Sequence, residues 1–108
     1  MRIPKEFKYR NSTITISKVP IKEARKGQFY AIYDPNDNSI KISEEVKNKV
    51  ELAETLLHEI LHVIVNKAKL EVASEERTVD SFARELTILL FRNRHILTFI
   101  ERCLKPLN

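Results

Sequence analysis

The apolar stretch from residue 56 to residue 65 carries two histidines, and it constrains the fold more than any other part of the chain. If this stretch is helical, apolar side chains occupy nearly every face of it, and a helix that is apolar all round lies buried in the protein. His58 and His62 then lie one turn apart on the same face. Because buried imidazoles need polar partners, they must meet hydrogen-bonding groups or a metal ion.

The two histidines have the spacing of metal ligands. Four residues along a helix bring their Cβ atoms to roughly 5–6 Å, and each neutral imidazole offers zinc a nitrogen at about 2.0–2.1 Å. With Glu59 between them they form the string His-Glu-x-x-His, which is the motif of zinc metallohydrolases. Glu59 would take a proton from a water that the metal has made more acidic. The sequence therefore predicts Zn²⁺ on His58 and His62, with Glu59 as the catalytic base.

A third protein ligand is needed, because catalytic zinc takes three and leaves the fourth position to water. The extended pattern that ends in a third helical histidine is absent, since Val65 and Ala68 occupy the positions of its glycine and histidine. Glu76, at the start of the next predicted helix, is the preferred ligand. Glu75 and His95 are the alternatives.

Asp80 follows Glu76 by four residues, so both carboxylates share one helical face. One carboxylate can bind the metal while the other accepts a hydrogen bond from an imidazole N–H. We assign the second role to Asp80 and keep ligation by Asp80 as an alternative. The competing interpretation is that Glu75 and Glu76 only stabilise a helix N-terminus, where the macrodipole favours acids.

These residues resemble a known family of peptidases. The pattern His58-Glu59-x-x-His62 with Glu76-x-x-x-Asp80 looks like the gluzincin arrangement of two histidines and one glutamate. The segment ERTVDSFAREL, residues 76–86, is similar to the ligand helix of the small ImmA/IrrE metallopeptidases. The similarity covers roughly residues 39–91. It implies a minimal zincin domain of phage or mobile-element type, whose relatives cleave repressor proteins.

The order of the predicted elements is strands first and helices afterwards. Periodicity and turn residues predict three strands, over residues 13–19, 28–33 and 39–43. Residues 1–10 are expected to form an extended lead-in, and residues 21–26 a helical turn. Helices are expected from 43 to about 69, with a break near Asn48 as the alternative, and from 74 to about 91, with Ser43 and Ser74 as N-caps. A last helix is expected from 95 to about 104, with Pro106 ending it. This order predicts an α+β fold with a small antiparallel sheet of about three strands packed on helices. The resemblance implies that the fold is zincin-like, with the metal site on the central helix.

A peptidase of this kind also needs a surface for its substrate and a donor for the charge that develops on the carbonyl oxygen. An extended peptide would bind by strand addition to the sheet edge just before the metal helix, which we expect to be Ser39 to Ser43. The candidate oxyanion donors are Tyr30, Tyr33, Arg77 and His95.

The length of 108 residues predicts a single domain, residues 1–108. With 43% apolar and 31% charged residues, the composition is that of an ordinary globular protein. No apolar run approaches the ~18 residues of a membrane span, and the first residues lack the apolar core of a signal peptide. Cys103 is the single cysteine, so no internal disulfide can form. We expect a cytoplasmic protein with no membrane partner.

The net charge of +4 is spread unevenly, with +6 on residues 1–26, −5 on 27–76 and +3 on 77–108. The acidic middle holds the metal motif, as a cation site favours. The basic N-terminal segment lacks interleaved aromatic residues, so a solvated edge is preferred over nucleic-acid binding. The expected partner is a protein or peptide substrate. The alternative function is a metal-stabilised binding or regulatory module without turnover, against which Glu59 argues, because a structural site needs no base.

Overall fold

The computed structural model describes residues 2–105, and these form four strands and four helices. The predicted α+β class is confirmed. In chain order the elements are β1 (Glu6–Tyr9), β2 (Ser12–Val19), α1 (Ile21–Lys26), β3 (Ala31–Asp34), β4 (Ser39–Ser43), α2 (Lys49–Lys67), α3 (Glu75–Arg92) and α4 (Arg94–Leu104). Pro106, which was expected to end the last helix, lies outside the described residues.

The strands form one mixed sheet in the order β1-β2-β4-β3. The pairs β1/β2 and β3/β4 are antiparallel, whereas β2 and β4 run parallel. The prediction of about three strands thus missed a fourth one, β1. Its Phe7 and Tyr9 alternate with polar residues inside the segment that was expected to be an extended lead-in. The expectation of a purely antiparallel sheet is wrong at β2/β4, because the chain between them contains α1 and β3 and so has the length that a parallel crossover requires.

Strand β4 lies inside the sheet, between β2 and β3. Ile40 and Ile42 are completely buried, and Ser39 and Ser43 are buried beside them. The prediction that Ser39 to Ser43 forms an exposed edge is therefore wrong. The sheet edge on this side is β3 instead, and it packs beside α2.

The core fills the space between the sheet and α2. Its buried members are Ile14 and Ile16 of β2, Ile40 and Ile42 of β4, the loop residue Val46, and Leu52 and Val63 of α2. Helix α3 packs along the length of α2 through its own buried residues Val79, Ala83 and Thr87. The metal motif is thereby held between a rigid sheet on one side and α3 on the other.

The starts of both long helices differ from the expected caps. Helix α2 begins at Lys49, where the Asn48 side chain accepts hydrogen bonds from the amides of Val50 and Glu51 at 2.9 and 3.1 Å. Ser43 instead accepts from the amide of Glu45 in the preceding turn. Ser74 has a left-handed backbone with φ 55° and makes no side-chain cap bond. None of the described helices is long and apolar enough to cross a membrane.

Candidate metal centre

His58 and His62 project from α2 towards α3, one turn apart as their spacing predicts. Their Nε2 atoms lie 3.2 Å from each other, and the ring centroids are 4.9 Å apart. Both side chains are mostly buried, with 19% and 16% of their surface exposed. Both rings therefore direct their Nε2 atoms towards one point.

Glu76, in the first turn of α3, faces both of these nitrogens. Its Oε1 lies 2.9 Å from Nε2 of His58, and its Oε2 lies 3.0 Å from Nε2 of His62. Each of the three residues offers a ligand atom within 4.8 Å of the others. The short connection between α2 and α3 is what brings the two helix ends together here.

The donor set fits one divalent cation such as zinc. With bonds of about 2.0–2.2 Å, tetrahedral geometry places neighbouring donors roughly 3.3 Å apart, and the observed distances of 2.9–3.2 Å are close to this spacing. The free electron pairs of two neutral imidazoles and a carboxylate repel one another unless a proton or a cation lies between them. Two nitrogens and one carboxylate also form a ligand set of catalytic zinc.

The Nδ1 atom of each imidazole lies on the far side of the ring from Glu76 and near another carboxylate of α3, but only one of the two pairs is hydrogen-bonded. Nδ1 of His62 lies 2.7 Å from Oε2 of Glu75, a hydrogen bond that keeps the proton on Nδ1 and leaves Nε2 free for a metal. Nδ1 of His58 lies 3.7 Å from Oδ1 of Asp80, which is beyond hydrogen-bond distance. Asp80 also accepts from Arg84 at 3.1 Å. Glu75 thus makes the imidazole contact that the sequence had suggested for Asp80.

Glu59 lies next to this centre, and only 6% of its surface is exposed. Burial raises the pKa of its carboxyl group above the usual value, and the charge of Glu76 acts in the same direction. The rings of His58 and His62 and the backbone amide of Tyr33 oppose this rise. The net effect is a glutamate that holds a proton more readily than an exposed one.

An open cleft of about 570 Å³ connects the centre to solvent. It lies between β3 and α2 and is lined by Ala31, Ile32, Tyr33, Pro35, His58, Glu59, His62, Val65, Asn66, Leu70, Glu75 and Glu76. The donors and the buried carboxylate of Glu59 thus line the same cleft as apolar side chains of β3 and of the end of α2.

Tyr33 is the candidate oxyanion donor that the structure places in this cleft. Its hydroxyl donates to Oδ1 of Asn66 at 2.9 Å. Burial, and then the charge of Asp34, raise the pKa of the Tyr33 phenol above its ordinary value, so the hydroxyl keeps its proton at neutral pH. The hydrogen bond between Tyr33 and Asn66 could not be predicted from local sequence patterns, because only the packing of β3 on α2 brings the two residues together.

The three other candidate donors lie outside the cleft lining. Tyr30 is 68% exposed and borders a separate depression with Arg25 and Glu45. Arg77 is exposed on α3, and His95 is exposed on α4. The structure therefore does not bring these three side chains to the metal centre.

Strand β3 borders the same cleft through Ala31, Ile32 and Tyr33. In an antiparallel pair, residues bonded to the partner strand alternate with residues whose backbone groups point away. The amide of Ser43 donates to the carbonyl of Tyr30 at 2.7 Å, so Tyr30 belongs to the bonded set. The backbone groups of Ala31 and Tyr33 consequently point away from β4, and both residues line the cleft.

Comparison with protein-family models, curated proteins and solved structures finds no match to this chain. The resemblance to ImmA/IrrE peptidases stays a prediction from the residues that carry it. The case for a function rests on the donor geometry and on the cleft around it.

Proposed function

We propose that this protein is a zinc-dependent peptidase that hydrolyses peptide bonds. His58 and His62 would hold the metal through their Nε2 atoms and Glu76 through its carboxylate. Zinc bound there would polarise a substrate carbonyl and make a water more acidic. The convergence of these three donors on one point beside the buried carboxylate of Glu59 carries the proposal.

Glu59 is the proposed general base. It would accept the proton of the attacking water and then deliver it to the leaving amine. Its position supports the role, because Glu59 is buried beside the three donors and lines the same cleft, within reach of a water that a bound metal would hold.

The substrate is proposed to be an extended peptide that adds to the edge of β3. The outward backbone groups of Ala31 and Tyr33 would pair with it, as in other cases of strand addition. The Tyr33 hydroxyl is the proposed donor to the carbonyl oxygen as negative charge develops on it. Ile32, Val65 and Leu70 add an apolar lining that favours apolar side chains of the peptide.

The family resemblance extends this proposal to a biological setting. If the protein is an ImmA/IrrE-like peptidase, its substrate is a regulatory or repressor protein of a phage or mobile element, which it would cleave in the cytoplasm. The single cysteine, Cys103, is a free thiol, in keeping with a reducing compartment.

Metal analysis combined with a cleavage assay tests the proposal. The purified protein is expected to bind one zinc per chain, and His62→Ala to bind none. Glu59→Gln is expected to keep the zinc and lose cleavage of a peptide library, read by mass spectrometry. Full activity of Glu59→Gln would refute the proposed mechanism.

A non-catalytic, metal-stabilised binding module is the second candidate. The observation that favours it is that the donors come from both α2 and α3, so that a bound metal would fasten the two helices together. This alternative predicts that zinc stabilises the fold while neither the native chain nor any variant cleaves the library.

A further inference from the structure

Helix α4 has no buried residue. At 3.6 residues per turn its side chains separate into an apolar arc of about 160° and a polar remainder. The large apolar side chains are 40–77% exposed. The arc consists of Ile96, Leu97, Phe99, Ile100, Cys103 and Leu104. An amphipathic helix of this kind needs a surface to cover its apolar face.

The whole chain exposes more surface than a compact monomer of its size. Its accessible area is 8474 Å², against about 6,200 Å² expected for a mass of 12.7 kDa. The radius of gyration is 14.7 Å, against about 13 Å expected. This excess of about 2,200 Å² belongs to the whole chain, and α4, which has no buried residue, contributes to it. A standard interface buries roughly 800 Å² on each partner, so the chain has surface to spare for one.

We propose that α4 is a dimerisation helix that packs antiparallel on α4 of a second copy of this chain. Two-fold symmetry requires a surface that is complementary to itself. Arg94 and Glu101 lie seven residues apart on one edge of the apolar arc. In an antiparallel pair centred between Leu97 and Thr98, Arg94 of each copy lies opposite Glu101 of the other.

A groove beside the N-terminal end of α4 fits the same arrangement. It has a volume of about 420 Å³, lies between α2, α3 and α4, and is lined by apolar residues that include Leu57, Phe91 and Leu97. An antiparallel partner centred as above extends its C-terminal end about one turn past Arg94, so that its Leu104 lies beyond the start of α4, on the side of this groove. Leu104 is 77% exposed in the single chain, so the groove gives it a site to occupy.

The charges of α4 favour a second copy over a lipid surface. Between Arg94 and Leu104 the helix carries two arginines and Glu101, a net charge of +1. Helices that lie on membranes are rich in Lys and Arg on the polar face. Glu101 would face anionic headgroups at the edge of the apolar arc, where in the dimer it faces an arginine.

Sedimentation analysis of the full chain tests the dimer, and neither metal nor substrate is needed, so its failure is separate from failure of the peptidase proposal. The native chain is expected to be a dimer in the micromolar range, and Ile100→Asp a monomer. Thr98→Asp, on the polar face of the same helix, is the matched control and should remain dimeric. Because α4 has no buried residue, both variants are expected to keep the native circular dichroism spectrum.

Charge reversal tests the antiparallel register. Arg94→Glu or Glu101→Arg alone places like charges opposite each other at two symmetric positions and should raise the dimer Kd about tenfold. The double variant restores opposite charges and should return the Kd towards the native value.

A native chain that sediments as a monomer throughout this range, or a dimer that Ile100→Asp leaves intact, overturns the proposal. So does a monomer that instead co-sediments with phosphatidylserine vesicles, which would assign the apolar face to a membrane surface.

Discussion

Nδ1 of His62 lies 2.7 Å from the carboxylate of Glu75, on the far side of the ring from Glu76. Two consecutive glutamates of α3 therefore contact opposite nitrogens of one imidazole. The proton that Glu75 holds on Nδ1 leaves the electron pair of Nε2 directed towards Glu76 and His58. One carboxylate is thereby placed to bind a metal, and its neighbour orients a metal-binding ring.

Glu75→Ala is predicted to weaken zinc binding about 10–100-fold, the usual cost of losing a carboxylate that orients a ligand imidazole. The measurement is a competition titration with a chromophoric chelator. Glu85→Ala, on the same helix and away from the rings, is the control and should bind zinc as the native chain does. Unchanged affinity in Glu75→Ala would show that the hydrogen bond does not orient His62.

Glu59→Gln is predicted to make the metal-free protein more stable at neutral pH. Because burial raises the folded-state pKa of Glu59, the folded state holds this proton more tightly than the unfolded state does. The carboxyl group therefore contributes most stability below its unfolded pKa of about 4.3, and this contribution is lost as pH rises through the folded pKa. The variant, which has no proton to lose, escapes that loss.

Urea unfolding in the presence of a chelator, at pH 4 and pH 7, measures this difference. The unfolding free energy of Glu59→Gln should exceed that of the native chain by more at pH 7 than at pH 4. An advantage that is equal at both pH values would contradict a raised pKa for Glu59.

The helical periodicity and the short α2–α3 link were sufficient to predict that His58, His62 and Glu76 lie close together. The helical repeat alone sets His58 and His62 one turn apart, and the short link to α3 brings Glu76 to them. Which atom Glu75 contacts could not be predicted in this way. Neighbouring helical residues point about 100° apart, so the answer depends on where α3 begins and how it is rotated, and both are set by its packing on α2.

The fold class also followed from the order of strands and helices, whereas the strand order did not. Local patterns identify β4 as a strand but contain nothing that places it between β2 and β3, because that position comes from a parallel pairing between distant segments. Strand β1 was missed since four residues with two apolar side chains give too short a pattern.

Tyr33→Phe is predicted to lower kcat about 10²–10³-fold if its hydroxyl stabilises the developing oxyanion. Zinc content should be unchanged, because the hydroxyl contacts Asn66 and none of the donor atoms. Loss of this exposed hydrogen bond should cost less than about 1 kcal/mol of unfolding free energy. Tyr30→Phe is the control, since Tyr30 lies outside the cleft, and it should keep full activity.

Asn48→Ala is predicted to destabilise the protein by about 1 kcal/mol, within the usual range of 0.5–2 for loss of an N-cap. Its side chain accepts two amide hydrogen bonds at the start of α2. Ser74→Ala is the control, because Ser74 makes no such bond at the start of α3. Denaturant unfolding should show a larger loss of unfolding free energy for Asn48→Ala than for Ser74→Ala. Equal losses would contradict the assignment of Asn48 as the cap.

Zinc is predicted to stabilise the folded chain, because its proposed ligands come from two helices and are brought together only by folding. At a free zinc concentration 100 times the Kd, the unfolding free energy should rise by about 2.7 kcal/mol. Thermal unfolding with and without zinc measures the gain. His62→Ala should lose it almost entirely, whereas His95→Ala should retain it, since His95 lies on α4 and outside the cleft. An equal gain in both variants would mean that zinc acts elsewhere on the chain.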